Sequence, residues 1–163
     1  MLKKILIIVL LLGSTVFAQS ENTSVKIKVS ARVVEFLEMV TLADIDVGTV
    51  IPAEDILTLN PLTDQGAGMI LVQGRANASV QIHYSSQVEM VNLQTSTALV
   101  VDYAVSGNMD NQQTSSTIFT SNPGTITLSD KGEYYLFIGC SFSLLNLTSG
   151  QYDGDFVIEV EYN

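Results

Sequence analysis

The chain has 163 residues, of which 7 are basic and 17 are acidic, so its formal net charge at pH 7 is −10. This acidic balance repels phosphate backbones and anionic lipid, which argues against nucleic acid or a membrane surface as a partner. The chain has one cysteine, Cys140, and one histidine, His83. An internal disulfide and a zinc site built from several His and Cys side chains are therefore excluded.

Residues 1–18 have the pattern of a cleavable export signal. Two lysines precede an apolar run, residues 5–12, which is too short to span a bilayer. Val16 and Ala18 then place small residues just before a cleavage point at Gln19. We therefore expect export to the periplasm, the outer surface or the medium, without membrane insertion after cleavage. Residues 19–163 are long enough for one domain with a sizeable core.

Short segments with apolar residues at every second position recur along the rest of the chain, as is typical of half-buried strands. In chain order these segments and one short apolar run cover residues 24–33, 69–72, 79–84, 99–105, 134–144 and 155–162. Turn-forming residues separate them, and no long segment carries the apolar stripe of a helix. Residues 35–40 have room for one helical turn at most, and residues 106–124 predict a long mobile loop or a weak edge strand. The sequence thus predicts an all-β antiparallel sandwich.

The first and last of these segments alternate most regularly. Between positions 24 and 33 basic and serine residues separate the apolar set Val25, Ile27, Val29, Ala31 and Val33. In the last segment the inward set is Phe156, Ile158, Val160 and Tyr162, with Asp155, Val157, Glu159 and Glu161 on the opposite face. Each face of a strand collects alternate residues, so both segments are predicted to bury one side only.

The sequence offers little for catalysis, and we expect no enzyme, no cofactor and no metal. His83 alternates with apolar neighbours and is predicted to face solvent, whereas Cys140 falls on the apolar face of its segment and is predicted to be a buried, inert thiol. Glu159 and Glu161 share a strand face, but a solvated face accounts for them. Asp153 and Asp155 are hard oxygen ligands for calcium in principle, yet they lack the ligand spacing of a calcium loop.

The C-terminal segment carries the most specific motif of the chain. It consists of Gly150, Tyr152, Gly154, Phe156, Ile158, Val160 and Tyr162. This motif resembles the ending of an exported bacterial family, the domain-of-unknown-function 4402 family. Residues 42–48, 74–82 and 137–140 resemble further elements of that family, with Val47 in place of its usual Phe and Cys140 in place of a Gly.

The same ending is similar to that of chaperone–usher pilins and spore-coat-U-like proteins, which carry a glycine fourteen positions from the end and a penultimate aromatic residue. Gly150 and Tyr162 occupy those positions here. The resemblance implies an incomplete immunoglobulin-like sandwich whose missing strand comes from a neighbouring subunit. Residues 24–33 suit the role of that donor strand, and they equally suit the first strand of their own domain.

Two functions follow as expectations. The first is a secreted or surface-exposed structural or adhesive protein, pilin-like, which binds itself or related subunits by strand addition. The alternative is a stand-alone extracellular binding module, for example for glycans. Glycan sites usually present aromatic platforms on a surface, and this chain has few aromatic residues and no Trp, which favours the first function.

Overall fold

The computed structural model describes residues 36–47 and 55–163, and these residues belong to one compact unit. The predicted export signal at 1–18 and the predicted strand at 24–33 lie outside the described residues. The described part of the chain contains eleven strands in two antiparallel sheets and, apart from one 3-10 turn at Gln113–Ser115, no helix. The predicted all-β antiparallel sandwich is therefore confirmed.

The larger sheet has eight strands, six of which lie side by side. In spatial order these six are β1 (Glu38–Ala43), β3 (Gly68–Gln73), β9 (Glu133–Ser143), β6 (Ala98–Asn108), β5 (Gln87–Asn92) and β10 (Tyr152–Asp153). Two short strands complete the sheet: β2 (Ile56–Leu59) pairs with the second half of β9, and β7 (Thr117–Ile118) pairs with the end of β6. The long strands β6 and β9 pair over most of their length and form the centre of the sheet.

The smaller sheet has three strands, with β4 (Ser79–Tyr84) between β8 (Gly124–Thr127) and β11 (Ile158–Tyr162). In β4, Val80 and Ile82 are fully buried while His83 is exposed, as its alternation predicts. The side-chain amide of Asn122 accepts a hydrogen bond from the backbone N–H of Tyr84 at 3.2 Å and also donates to the Tyr84 carbonyl. The loop that leads into β8 is thereby attached to the end of β4.

The main core lies between the two sheets. It is built from alternate residues of the central strands, together with Leu128, which directly follows β8. Its most deeply buried residues are Val72, Val80, Ile82, Val105, Leu128, Leu136 and Ile138. Fully burying one such side chain contributes about 1.5–3 kcal/mol, so this cluster is the largest stabilising element of the fold. Phe156, Ile158, Val160 and Tyr162 pack against it as half-buried residues, as the last segment predicts.

A second apolar cluster lies on the larger sheet alone. It is centred on Leu99, Val101 and Cys140, and the partly buried residues around it come from the larger sheet and from loops. None of the residues described in this cluster belongs to the smaller sheet. This part of the larger sheet is therefore packed differently from the main core.

Residues 106–124, predicted to be a long mobile loop or a weak edge strand, contain several short structured elements. They contain the end of β6, the 3-10 turn and β7. The Gln113 amide donates to the carbonyls of Pro61 at 3.1 Å and Asp64 at 2.9 Å, and the buried Ser106 hydroxyl accepts a bond from Ser116 at 2.8 Å. These side-chain bonds fold the segment onto the 60–67 turn, which a reading of its polarity alone does not reveal.

Two further boundaries differ from the sequence-based expectations. Residues 38–43 form strand β1, although one helical turn at most was predicted for residues 35–40. The last strand begins at Ile158 rather than at 155, because residues 152–153 pair with β5 in the larger sheet before the chain passes to the smaller one.

Candidate functional site

A groove of about 500 Å³ lies where the start of β1 approaches β11. Its apolar surface comes from Leu37, Ile158 and Val160, and the acidic residues Glu38, Glu159 and Glu161 also line it. Residues on both faces of β11 take part, so the groove follows the strand itself.

The pairing of β11 fixes which of its residues meet the core. β11 is antiparallel to β4, with Glu159 opposite His83, Val160 opposite Ile82 and Glu161 opposite Gln81. Since Ile82 is fully buried, this register holds Val160 on the core side and both glutamates on the outer side. In the part of the chain that the structure describes, β4 is the one strand that pairs with β11, so β11 lies at the edge of the smaller sheet, and Gln81 and His83 of β4 also line the groove.

Tyr162 joins the two sheets at one end of β11. Its hydroxyl donates to the Phe36 carbonyl at 2.7 Å and accepts from the Arg75 backbone N–H at 2.8 Å. The Arg75 guanidinium lies 5.6 Å from the centroid of the Tyr162 ring, within cation–π range. Gly74 leaves room for this arrangement, because a Cβ there would lie 2.6 Å from the Tyr162 hydroxyl. The penultimate aromatic residue thus anchors the groove's floor to β1 and to the turn after β3.

The groove is acidic. Glu38, Glu159 and Glu161 line it, with His83 as the only basic side chain among the described lining residues. A cationic strand is therefore favoured at this edge over an anionic one.

The structure divides the C-terminal motif between the two sheets. Tyr152 lies in β10, and Gly154 packs against Met90 of β5, so this part belongs to the larger sheet. Phe156 is in the connection, with its ring centroid 4.5 Å from that of Tyr103. Ile158, Val160 and Tyr162 belong to β11 in the smaller sheet. The motif is therefore a crossing between sheets and not one continuous strand.

Gly150 has a specific steric role at the start of this motif. Its φ of +150° is one that L side chains rarely adopt, and a Cβ there would lie 2.5 Å from Nδ2 of Asn92. Glycine at this position lets the 149–152 backbone approach β5 closely. The other set of predicted site residues, Val25, Ile27, Val29, Ala31 and Val33, lies outside the described residues.

Cys140 is buried as predicted, with 5% of its surface exposed. Burial raises the pKa of its thiol, since the apolar surroundings disfavour the thiolate. Within residues 36–47 and 55–163, no group of three or more His, Cys, Asp or Glu side chains is arranged to hold a metal ion. No helix in the same residues is long and apolar enough to cross a membrane.

Sequence reasoning missed the contribution of Leu37 and Glu38 to the groove. Residues 38–43 are exposed on both faces of β1, so they lack the alternation that marks a half-buried strand. It also missed Asn92, which is a polar residue with 1% of its surface exposed at the end of β5. The only signal for Asn92 was its spacing of two from Met90, on the same strand face.

No protein-family model matches the chain, and no curated protein matches it. The resemblance to the domain-of-unknown-function 4402 family and to pilins therefore stays a prediction.

Proposed function

We propose that this protein is an exported, non-catalytic structural or adhesive surface subunit that assembles by strand addition. In this proposal residues 24–33 of one copy pair with the edge of β11 that is not paired with β4 in the next copy. The observation that carries it is β11 itself. Among the described residues this strand lies at the edge of the smaller sheet, it alternates core-facing Ile158 and Val160 with outward Glu159 and Glu161, and all four residues line the groove.

The apolar spacing of the two strands is compatible. Residues 24–33 place a small or branched apolar side chain at every second position, and β11 presents apolar side chains to the core with the same period. A strand added at this edge would make main-chain hydrogen bonds to β11, and its apolar side chains would extend the floor formed by Leu37 and Ile158.

Charge also supports the pairing. The sequence from 19 to 163 has five basic residues, and three of them, Lys26, Lys28 and Arg32, alternate with the apolar set of residues 24–33. When the apolar side chains of an added strand continue the core-facing side of Ile158 and Val160, its basic side chains lie on the same face as Glu159 and Glu161. Opposite charges on neighbouring strands contribute roughly 0.2–1 kcal/mol for each pair.

Size-exclusion chromatography of the exported chain tests this proposal. We expect the wild type to form oligomers whose size rises with concentration, and Val29→Asp to be monomeric because a carboxylate then lies without a partner on the core-facing side of the added strand. Ser30→Asn is the control, since it changes a neighbouring outward side chain without adding a negative charge beside Glu159 and Glu161, and it should retain oligomers.

A wild type that stays monomeric at every accessible concentration would contradict strand addition between copies. It would instead favour residues 24–33 as the first strand of their own domain, and with that the role of a stand-alone binding module. The export part of the proposal is tested separately by mass spectrometry of the secreted protein, in which Gln19 should be the first residue. Recovery of intact Met1 protein from the cytoplasm would contradict it.

A further inference from the structure

Strand β1 lies at the end of the larger sheet, and among the described residues it pairs with β3 alone. All six of its residues, Glu38–Ala43, are exposed. The large apolar side chains exposed in and just before the strand are Phe36 at 55%, Met39 at 37%, Val40 at 38% and Leu42 at 44%. An apolar strand with an unpaired edge is a template for pairing with another chain.

The other strands at the ends of the two sheets are poorer templates. β10 has two residues, and β8 has four, of which the two exposed ones are Thr125 and Thr127. β11 carries Glu159 and Glu161, so pairing with a second β11 would bring carboxylates together. β1 has a single charged residue, at its first position. It is therefore the edge at which two copies of this acidic chain can meet with the least repulsion.

The register of β1 on β3 shows which face each side chain takes. Val40 lies opposite Leu71, and Thr41 lies opposite Ile70, which is buried in the main core. Since side chains alternate along a strand, Val40 is on the outer face of the larger sheet. The register shifts between Thr41 and Ala43, so only the first part of β1 is regular and a strand added there is short.

Charge selects one way for two copies of β1 to pair. In an antiparallel pair related by a two-fold axis at Val40, Val40 lies opposite the same residue of the second copy and Glu38 lies opposite Leu42. No carboxylate then faces another. An axis at Thr41 would set Glu38 opposite Asp44, which like-charge repulsion disfavours.

We propose that β1 is an interface between two copies of this chain, which pair antiparallel through their β1 edges about a two-fold axis near Val40. A second copy fits this edge because the edge is complementary to itself, with apolar residues at its centre and its one glutamate opposite leucine. A two-fold interface is closed and ends at a dimer, whereas strand addition at β11 continues from copy to copy. The short regular part makes this dimer weaker than strand addition, so it forms at higher protein concentration.

Sedimentation velocity of the exported chain carrying Glu159→Lys and Glu161→Lys isolates this interface, because those changes block the proposed addition at β11. We expect dimers at high concentration and no larger species. Val40→Lys should weaken the dimer by about tenfold or more, since two ammonium groups then lie opposite each other at the axis. Val100→Lys is the matched control. That side chain is also exposed on the outer face of the larger sheet, but it lies in the central strand β6, so dimers should remain.

A mixing experiment tests whether the partner is a second copy. Val40→Lys and Val40→Glu proteins should each be monomeric, and their mixture should form dimers, because an axis near residue 40 brings the two opposite charges together. Urea denaturation shows whether both variants are folded. A mixture that stays monomeric, dimers that survive Val40→Lys, or a monomer at every concentration before Val40 is changed would each overturn the proposal.

Hydrogen exchange tests the edge in the unaltered protein. The backbone amides of residues 38–43 should exchange more slowly as the protein concentration rises, while those of residues 124–127 in β8 stay unchanged. Protection of residues 38–43 that does not depend on concentration would show that the edge is paired within its own chain, and would overturn the proposal. A wild type that forms dimers and nothing larger would contradict strand addition at β11 and support pairing at β1.

Discussion

The hydroxyl of Tyr162 donates a hydrogen bond to the carbonyl of Phe36, 126 residues earlier in the chain, at 2.7 Å. The same hydroxyl accepts from the Arg75 N–H at 2.8 Å. Three parts of the chain that are distant in sequence are thereby joined at one phenol: the start of β1, the turn after β3 and the end of β11. The last strand of the smaller sheet is fixed to an edge of the larger sheet at this point.

Tyr162→Phe keeps the ring and removes both hydrogen bonds. The Phe36 carbonyl and the Arg75 N–H are near solvent and water can replace the hydroxyl, so we expect a loss of about 1 kcal/mol in the free energy of unfolding, measured by urea denaturation. Tyr152→Phe is the control, because it removes one local bond, to the Thr148 carbonyl at 3.0 Å. If Tyr152→Phe lowers the free energy of unfolding as much as Tyr162→Phe does, the long-range hydrogen bonds of Tyr162 contribute no more to stability than one local bond.

Phe156 is the clearest test of the crossing between sheets. It packs against the main core and against the Tyr103 ring, but it is only half-buried. Phe156→Ala should therefore cost about 2–3 kcal/mol, below the usual 3–5 kcal/mol of a fully buried phenylalanine. Val157→Ala, at a side chain that is 48% exposed, should cost less than about 1 kcal/mol. Equal losses in urea denaturation would show that the two residues do not face opposite sides.

β4 buries alternate residues as predicted, so exposed His83 follows from the pattern. β9 was predicted to bury alternate residues, but the structure buries every residue from Leu136 to Cys140, because the strand is covered on both faces there. β1, β2, β5, β8 and β10 were not predicted. All of β1 is exposed, and β8 has only four residues, of which Ile126 is the one large apolar side chain.

The groove and the second apolar cluster depend on tertiary structure in different degrees. The alternation of Ile158 to Tyr162 could be predicted, but not that β11 would line one groove with Leu37, which requires the pairing of β1 with β3. The second apolar cluster, centred on Leu99, Val101 and Cys140, could not be predicted at all. It depends on the smaller sheet covering one part of the larger sheet and not the other, and sequence periodicity carries no information on that.

The buried thiol of Cys140 should respond to pH through its ionisation. Burial raises its pKa above the ordinary value of 9.0, so in alkaline solution the unfolded chain loses the thiol proton before the folded chain does. The free energy of unfolding should therefore fall as the pH rises through 9.0, and it should fall less in Cys140→Ala. Urea denaturation at a series of pH values measures this. Ellman's reagent should also label Cys140 only after denaturant is added, and rapid labelling of the native protein would contradict its burial.

Charge reversal decides whether residues 24–33 meet β11 in the way we propose. Replacing Lys26 and Lys28 by Glu should abolish the wild-type oligomers, because two carboxylates would then lie beside Glu159 and Glu161 on the outer face. Replacing Glu159 and Glu161 by Lys should have the same effect from the other side. Combining the two double substitutions restores opposite charges, so oligomers should return in size-exclusion chromatography.

The combined variant is informative because each change lies on the outward face and leaves the apolar residues intact. Added salt should weaken the oligomers of the wild type and of the combined variant alike, since outward charge pairs are screened at a Debye length of about 3 Å in 1 M salt. If the combined variant stays monomeric and its urea denaturation matches that of the wild type, residues 24–33 do not pair with β11 in the way we propose. Oligomers that persist in both double variants would show that assembly uses a different surface, such as the exposed strand β1.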